Sequence, residues 1–257
     1  MTIWQALILG LVQGLAEFLP VSSSGHLVLL RQIFGMDEPG LLLDTLLHVG
    51  TLVAIFVVFW KDILQMLKKP FSKPVYLLAV ATVPAVLAAV LFGDFFETAF
   101  TGKYLGVGFL LTSAVLFVSG RRQGHRQELG YADAATMGVF QAFAILPGLS
   151  RSGSTISGGL FRGVDREQAA KFSFLMSIPA ILGSVVLQVK DLASGEAAAL
   201  PFWPVLVGIV AAALSSLFAI KFMLYLVKKA NLAAFAVYTL ALGVLVCIDQ
   251  WWTHLFF

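Results

Sequence analysis

The polar residues that could do chemistry concentrate in two short stretches of an otherwise apolar chain. The first, "FLPVSSSGH" (18–26), brings three serines and a histidine close behind Glu17, and the second, "ILPGLSRSGST" (145–155), brings hydroxyls and Arg151. Arginine offers a planar fork of N–H donors that suits phosphate oxygens, and the glycines allow backbone N–H groups to approach an anion. A nearby carboxylate can hold a divalent cation together with substrate phosphates. This combination predicts hydrolysis of a phosphate anhydride that is presented by a lipid.

Each of these residues also has a purely structural explanation. Glu17 could pair with Arg151 and join the two stretches, and His26 could be a hydrogen-bonded structural histidine. Most of the serines are expected to cap broken helix ends. Ionisable groups inside membrane segments are costly and usually functional, which favours a role for the two charged residues. Asp44 and His48 are four residues apart, and the sequence leaves open whether they face the same cavity or lie near the outer interface.

The composition is that of a membrane protein. The chain has 257 residues, of which 59% are hydrophobic and 12% are charged, with a mean hydropathy of +0.92. Soluble domains carry about 25% charged residues, and the continuous apolar runs differ from the alternating segments of a β-barrel. We therefore predict an all-α polytopic membrane protein. The net charge of +3 is small and the basic residues lie in loops, so no nucleic-acid partner is expected.

Helix lengths separate the apolar segments into two kinds. Two segments, 2–19 and 134–146, stop at Pro20 and Pro147 and are predicted to be re-entrant hairpins. Non-helical backbone at membrane depth needs a protein-lined or wet cavity around it, so both breaks predict a polar site. A spanning helix takes about 20 apolar residues, and six runs qualify: 41–60, 75–92, 103–119, 172–189, 202–222 and 232–249.

The two hairpins resemble each other in sequence. "GLVQGLAEFLPVSSSGH" aligns with "GVFQAFAILPGLSRSGS" at an offset of 128, with one residue of slack at the prolines, so that Gln13 meets Gln141 and Gly25 meets Gly153. Each half then holds one hairpin and three spanning helices. Three is odd, so the second half enters the membrane upside down, as in an inverted-topology repeat. We predict a single membrane domain, 1–257, built from repeats 1–128 and 129–257.

The basic residues predict how the protein lies in the membrane. Thirteen Lys and Arg residues fall on one side and three (Arg31, Lys103 and Lys190) on the other. The positive-inside rule makes the first side cytoplasmic. Both termini are then outside, the first hairpin opens from outside, and the second opens from inside.

The two stretches carry a family resemblance. "QGLAEFLPVSSSGH" and "PGLSRSGST" resemble the two signatures of the bacterial undecaprenyl-diphosphatase family, of the bacitracin-resistance type. The resemblance implies a bacterial inner-membrane enzyme that removes the terminal phosphate of undecaprenyl pyrophosphate, so that the lipid carrier of cell-wall precursors is reused. It also implies a divalent cation and a site open to the outer face. Gln13 stands where many members carry Glu; glutamine can coordinate a cation but cannot act as a base.

The resulting hypothesis assigns roles to both stretches. Glu17 with Gln13 holds the cation (Mg²⁺ or Ca²⁺), while Arg151 and backbone N–H groups neutralise the transferred phosphoryl group. The attacking group stays open between His26, Ser23 and a water molecule activated by His26 or Glu17. The predicted catalytic residues are Glu17, Ser23, His26 and Arg151, and the predicted phosphate-binding residues are Ser24, Gly25, Ser150, Arg151, Ser152, Gly153 and Thr155.

Two other functions compete with this hypothesis. A transporter or flippase for the same lipid would have the same repeats and broken helices, but it does not need nucleophiles or bases such as Ser23 and His26. The type 2 phosphatidic acid phosphatases also have "SGH" and "SR", but their Lys/Arg-Pro motif and later His and Asp are not found in the expected places. The expected partners are the lipid substrate and membrane lipid. The oligomeric state stays open, with a homodimer among the choices.

Overall fold

Helices make up the fold of the chain. A computed structural model describes residues 1–36, 41–194, 200–229 and 232–257, and within these ranges the one strand-like contact is an isolated bridge between Arg126 and Val164. The helices are α1 Ile3–Phe18, α2 Ser23–Ile33, α3 Leu41–Val58, α4 Trp60–Lys68, α5 Lys73–Leu91, α6 Gly93–Thr98, α7 Leu105–Gly120, α8 Tyr131–Phe143, α9 Arg151–Phe161, α10 Arg166–Ser194, α11 Phe202–Lys229 and α12 Ala233–Ile248. Short π-helical turns, Ala99–Lys103 and Asp249–Thr253, precede α7 and follow α12.

The predicted membrane spans are present. Among the described residues, four helices are long and apolar enough to cross a membrane, and two bent helix pairs raise the number to six. The first pair, α3 with α4, bends by 82°, and the second, around Tyr104, bends by 99°. Both bends lie at the ends of the runs 41–60 and 103–119 predicted from the sequence, which correspond to α3 and α7.

The outer surface of the helices is apolar. Large side chains that would be buried in a soluble protein are exposed here, among them Val90 at 77% and Val186 at 69%. A continuous apolar exterior of this kind matches lipid rather than water. The chain is therefore a multi-pass membrane protein.

The hairpin helices pack against long helices through very close contacts. In the first hairpin α1 packs on α11, where Gly10 lies against the backbone of Gly208. In the second, α8 packs on α5, where Gly138 lies against the backbone of Ala81. Gly10 and Gly138 are 128 residues apart, so the two contacts are equivalent under the predicted repeat. This packing is compatible with an inverted repeat, which stays a prediction.

Candidate active site

The first break follows α1 directly. Pro20 has no N–H and cannot continue the helical hydrogen bonds, and the chain turns through Ser22, whose φ of 70° lies in the left-handed region. The hydroxyl of Ser22 then caps α2 by accepting a hydrogen bond from the N–H of Gly25, at 3.2 Å. The proline therefore ends α1, and the serine cap starts α2 at Ser23.

The second break has the same cap on a different turn. Gly148 takes the left-handed conformation, with φ of 87°, and Ser150 caps α9 by accepting from the N–H of Gly153 at 3.1 Å. Thr112, on α7, supports the turn from outside. Its hydroxyl donates to the carbonyl of Gly148 and accepts from the N–H of Ser150, both at 2.8 Å. One serine caps the new helix at each break, as predicted. The expectation that most of the serines do so is wrong, because Ser23 donates to Glu17 and Ser152 to a backbone carbonyl.

The two breaks are in direct contact. Ser152 of the second break donates to the carbonyl of Leu19 in the first, at 3.0 Å. Gly25 packs so tightly on the second break that an added Cβ would lie 2.9 Å from the Cα of Gly148. This close approach of the two backbones joins the two stretches into one site.

Glu17 is the centre of this site. Its side chain is 5% exposed, and its Oε1 accepts a hydrogen bond from Nη2 of Arg151, the residue that opens α9. The other carboxylate oxygen, Oε2, accepts from the hydroxyl of Ser23 at 2.5 Å and from the amide of Gln13 at 3.1 Å. Nε2 of His48 lies 3.3 Å from the same oxygen. One carboxylate thus contacts four polar groups from the two hairpins and α3.

Arg151 reaches in two directions from the first turn of α9. While Nη2 contacts Glu17, Nη1 donates to the backbone carbonyl of Ser173 on α10, at 3.1 Å. The hydroxyl of Ser173 in turn lies 2.6 Å from that of Thr155, so Thr155 fastens α9 to α10. The side chain of Arg151 is 16% exposed, compared with 5% for that of Glu17. Arg151 is therefore the member of the Glu17–Arg151 ion pair that is more accessible to a ligand.

The predicted phosphate-binding residues fall into two groups. Ser150, Ser152 and Thr155 are fully buried, and their hydroxyls are engaged in the contacts described above. Ser24 is only partly buried, and its hydroxyl lies 3.4 Å from that of Ser22. The caps use the N–H groups of Gly25 and Gly153, which leaves the first N–H groups of α2 and α9 available to an anion.

His26 does not join the cluster around Glu17. Its Nδ1 donates to the carbonyl of Ser22 at 2.7 Å, and its Nε2 lies 2.7 Å from the hydroxyl of Tyr238 on α12. Because a carbonyl only accepts, Nδ1 carries the proton and Nε2 accepts from the tyrosine. Among the residues that the structure describes, the imidazole next to Glu17 is that of His48. The convergence predicted for His26 is therefore not found.

Asp44 and His48 separate in the structure. Asp44 forms a buried ion pair with Arg31 at the end of α2, whereas His48 faces Glu17. Their spacing of four residues places both on one face of α3, and this spacing was the feature of the sequence that indicated a role for His48. Thr112, Ser173 and Tyr238 gave no signal, because a single hydroxyl in an apolar helix does not reveal its partner.

Known proteins resemble the chain along almost its whole length. Residues 6–245 match the family described as bacitracin resistance protein BacA. The chain is 49% identical to the undecaprenyl-diphosphatase of Carboxydothermus hydrogenoformans, over 97% of this chain and 98% of that protein. It is 46% identical to undecaprenyl-diphosphatase 4 of Bacillus thuringiensis subsp. konkukian, over 96% of each. It is also 39% identical to the undecaprenyl-diphosphatase of Methanosphaera stadtmanae, over 96% of this chain and 97% of that protein. The chain therefore belongs to the bacitracin resistance protein BacA family, as its two polar signatures predict.

Proposed function

We propose that this protein is an integral-membrane phosphatase that hydrolyses undecaprenyl pyrophosphate to undecaprenyl phosphate and inorganic phosphate. The family and the shared name of its relatives support this activity. The observation that carries it at the level of residues is the meeting of Glu17 and Arg151 where the two breaks touch. The product would be the lipid carrier that cell-wall synthesis uses again.

Arg151 is the main phosphate-binding group in this proposal. Stabilising negative charge is the principal task in phosphoryl transfer, and a guanidinium can hold two phosphate oxygens at once. Its two arms contact Glu17 and the carbonyl of Ser173. Both partners are hydrogen-bond acceptors, so phosphate oxygens can replace them and accept from the same N–H groups of Arg151.

Ser23 and Glu17 supply a nucleophile and a base. The hydroxyl of Ser23 already donates to Oε2 of Glu17 at 2.5 Å, which is the contact that a general base makes with the proton it removes. Attack of the Ser23 oxygen on the terminal phosphorus would pass that proton to Glu17 and release undecaprenyl phosphate. Water would then hydrolyse the phosphoserine. His26 is less suited to attack, because Tyr238 occupies its Nε2.

A divalent cation, Mg²⁺ or Ca²⁺, would be held by Glu17 and Gln13. Oε1 of Gln13 is buried and has no hydrogen-bond partner in the described part of the chain, although the amide lies next to the carboxylate. Oxygen ligands of this kind suit both ions. No group of three or more His, Cys, Asp or Glu side chains that could hold a metal occurs among the described residues. The pyrophosphate would therefore supply further ligands, and the cation would neutralise part of its charge.

The orientation in the membrane follows from the basic residues. We propose that the thirteen Lys and Arg residues on one side face the cytoplasm, with both termini and the mouth of the site on the outer face of the cytoplasmic membrane. Of the three basic residues on the other side, Lys190 is one whose side chain the structure does not describe. The homodimer stays a prediction.

Release of inorganic phosphate from undecaprenyl pyrophosphate by the purified protein in detergent tests the activity. The assay is run with and without a divalent cation, beside Glu17→Ala and Arg151→Ala variants that are shown to be folded. We expect cation-dependent release by the wild type and none by either variant. If the folded wild-type protein binds the lipid but releases no phosphate, the proposed phosphatase activity is wrong and the flippase function takes its place.

A further inference from the structure

His48 enters the site from a helix that belongs to neither hairpin. Its Nδ1 lies 2.6 Å from the carbonyl oxygen of Asp44, one turn earlier on α3. Since that oxygen can only accept, Nδ1 is the donor, and this bond orients the imidazole, whose Nε2 lies 3.3 Å from Oε2 of Glu17. With Nδ1 protonated, Nε2 can donate to the carboxylate only in the imidazolium form, so His48 pairs with Glu17 as a cation. Hydrogen bonds of this kind commonly orient a functional histidine.

The helix that carries His48 is itself held firmly on both sides. Asp44 forms a buried ion pair with Arg31, which ties the start of α3 to the end of α2. Gly50 lies against the backbone of Ile209 on α11, where a side chain would not fit. His48 therefore approaches Glu17 from a fixed support and not from a mobile loop.

The contacts of the Glu17 carboxylate differ in how long they can last during the reaction. If phosphate takes Arg151, Oε1 loses its partner, and if Ser23 attacks, its hydroxyl gives up its proton. Gln13 stands on the same helix as Glu17, four residues earlier, so it moves with the carboxylate. Of the side chains around the carboxylate, His48 is the remaining contact, and it comes from another helix and takes no part in attack.

We propose that His48 is a positioning residue that holds Oε2 of Glu17 toward Ser23 while Arg151 binds the phosphate. The inference rests on the proposed phosphatase activity. It assigns His48, and not His26, as the histidine on which the general base depends. Because a misplaced catalytic group slows the chemical step even when substrate still binds, the loss of His48 affects kcat and leaves KM almost unchanged.

Two substitutions at position 48 separate positioning from packing. His48→Leu keeps the bulk and removes the donor, whereas the amide nitrogen of His48→Gln can occupy the place of Nε2 and donate to Glu17. We expect kcat for phosphate release to fall about 10- to 100-fold in His48→Leu with KM within about 3-fold of wild type. His48→Gln should recover kcat to within about 5-fold of wild type. His125→Leu, at an exposed histidine outside the site, is the matched control.

The outcomes distinguish this inference from the proposed activity. If the wild-type protein releases no phosphate, the proposed phosphatase activity itself is wrong. With an active wild type, normal turnover by His48→Leu, or a change confined to KM, overturns the positioning role. If His48→Leu does not fold, the folded His48→Gln variant decides, because a loss of kcat as large as about 30-fold would show that a donor at this place does not suffice.

Discussion

The two breaks use the same cap but carry unlike groups. In each, a serine at the N-cap position accepts a hydrogen bond from a glycine N–H three residues later, at 3.2 Å for Ser22 and 3.1 Å for Ser150. The first break adds an acid and a nucleophile, through Glu17 and Ser23, whereas the second adds a cation, Arg151. The shared part starts a new helix at each of two breaks that are in contact, and the unlike part supplies the groups that the proposed function uses to bind and attack a phosphate.

The likeness extends to the far ends of the hairpins. At the start of α1, the side chain of Gln5 accepts from the N–H of Thr2 at 2.7 Å. At the start of α8, the side chain of Asp133 accepts from the N–H of Gly130 at 2.9 Å. Both pairs are related by the offset of 128, as are the two caps. The difference is again one of charge, because a neutral amide in the first hairpin is replaced by a carboxylate in the second.

The largest effect should come from removing the unlike charges. Removing one partner of a buried ion pair leaves the other uncompensated and costs about 3 kcal/mol or more of stability, whereas replacing both by apolar residues is often neutral. We expect Arg151→Met to be destabilised by about 3 kcal/mol, and the double variant Glu17→Leu/Arg151→Met to unfold near the wild-type temperature. All variants should lose phosphate release by about 10³-fold or more, since charge stabilisation is lost.

Thermal unfolding in detergent and phosphate release, measured on the same preparations, check this prediction. Glu17→Leu alone completes the double-mutant cycle. If the pair only joined the two hairpins, the stable double variant would keep its activity. That result would show that Glu17 and Arg151 have a structural role and no catalytic one.

A smaller effect should distinguish the two capped glycines. A Cβ at Gly25 would lie 2.9 Å from the Cα and N atoms of Gly148, which are backbone atoms that cannot move aside easily. A Cβ at Gly153 would meet Ser150 at 3.1 Å and Pro20 at 3.2 Å, distances that require these neighbours to move by only a few tenths of an ångström. Overpacking costs about 1–3 kcal/mol, so we expect Gly25→Ala to reach this range and Gly153→Ala to stay below about 1 kcal/mol.

Melting temperatures of the two variants test the order. Gly183→Ala is the matched control, because no atom lies within 4 Å of a Cβ added at this helical position, and alanine favours a helix over glycine by about 1 kcal/mol. It should be neutral or stabilising. A Gly153→Ala variant that melts at or below Gly25→Ala would contradict the difference between the breaks.

Sequence reasoning located the breaks and the charges because their signals are local. A proline followed by serines and glycine stops a helix and starts another wherever it occurs, and apolar length fixes the spans. It did not identify which histidine faces Glu17, since this depends on the rotation of α2 and α3 within the fold. The carbonyl of Ser173 and the hydroxyl of Tyr238 contribute through tertiary packing, which leaves no pattern in the sequence.

The smallest effect should be seen in acid, at the ends of the hairpins away from the site. Asp133 is buried, which by itself raises its pKa, but hydrogen bonds from Arg126, from the N–H of Gly130 and from Arg162 outweigh burial and lower the pKa to about 2. A carboxyl whose pKa is lower in the folded state stabilises the protein above its unfolded pKa, near 3.8, and loses this contribution as the pH falls toward 2. The start of α8 should therefore weaken in acid, whereas the start of α1, held by Gln5, should not.

Asp133→Asn removes the charge at nearly constant shape, and Gln5→Ala is its counterpart in the first hairpin. At pH 7 we expect Asp133→Asn to be about 1–2 kcal/mol less stable than the wild type, because Arg126 and Arg162 lose their partner and are themselves half exposed. The difference should shrink as the pH falls from 4 toward 2, where the wild-type carboxyl takes up a proton. The smaller loss in Gln5→Ala should stay constant over the same range. Unfolding temperatures measured between pH 7 and 2.5 check both slopes, and a gap that persists at low pH would mean that the shape of Asp133, and not its charge, holds the second hairpin.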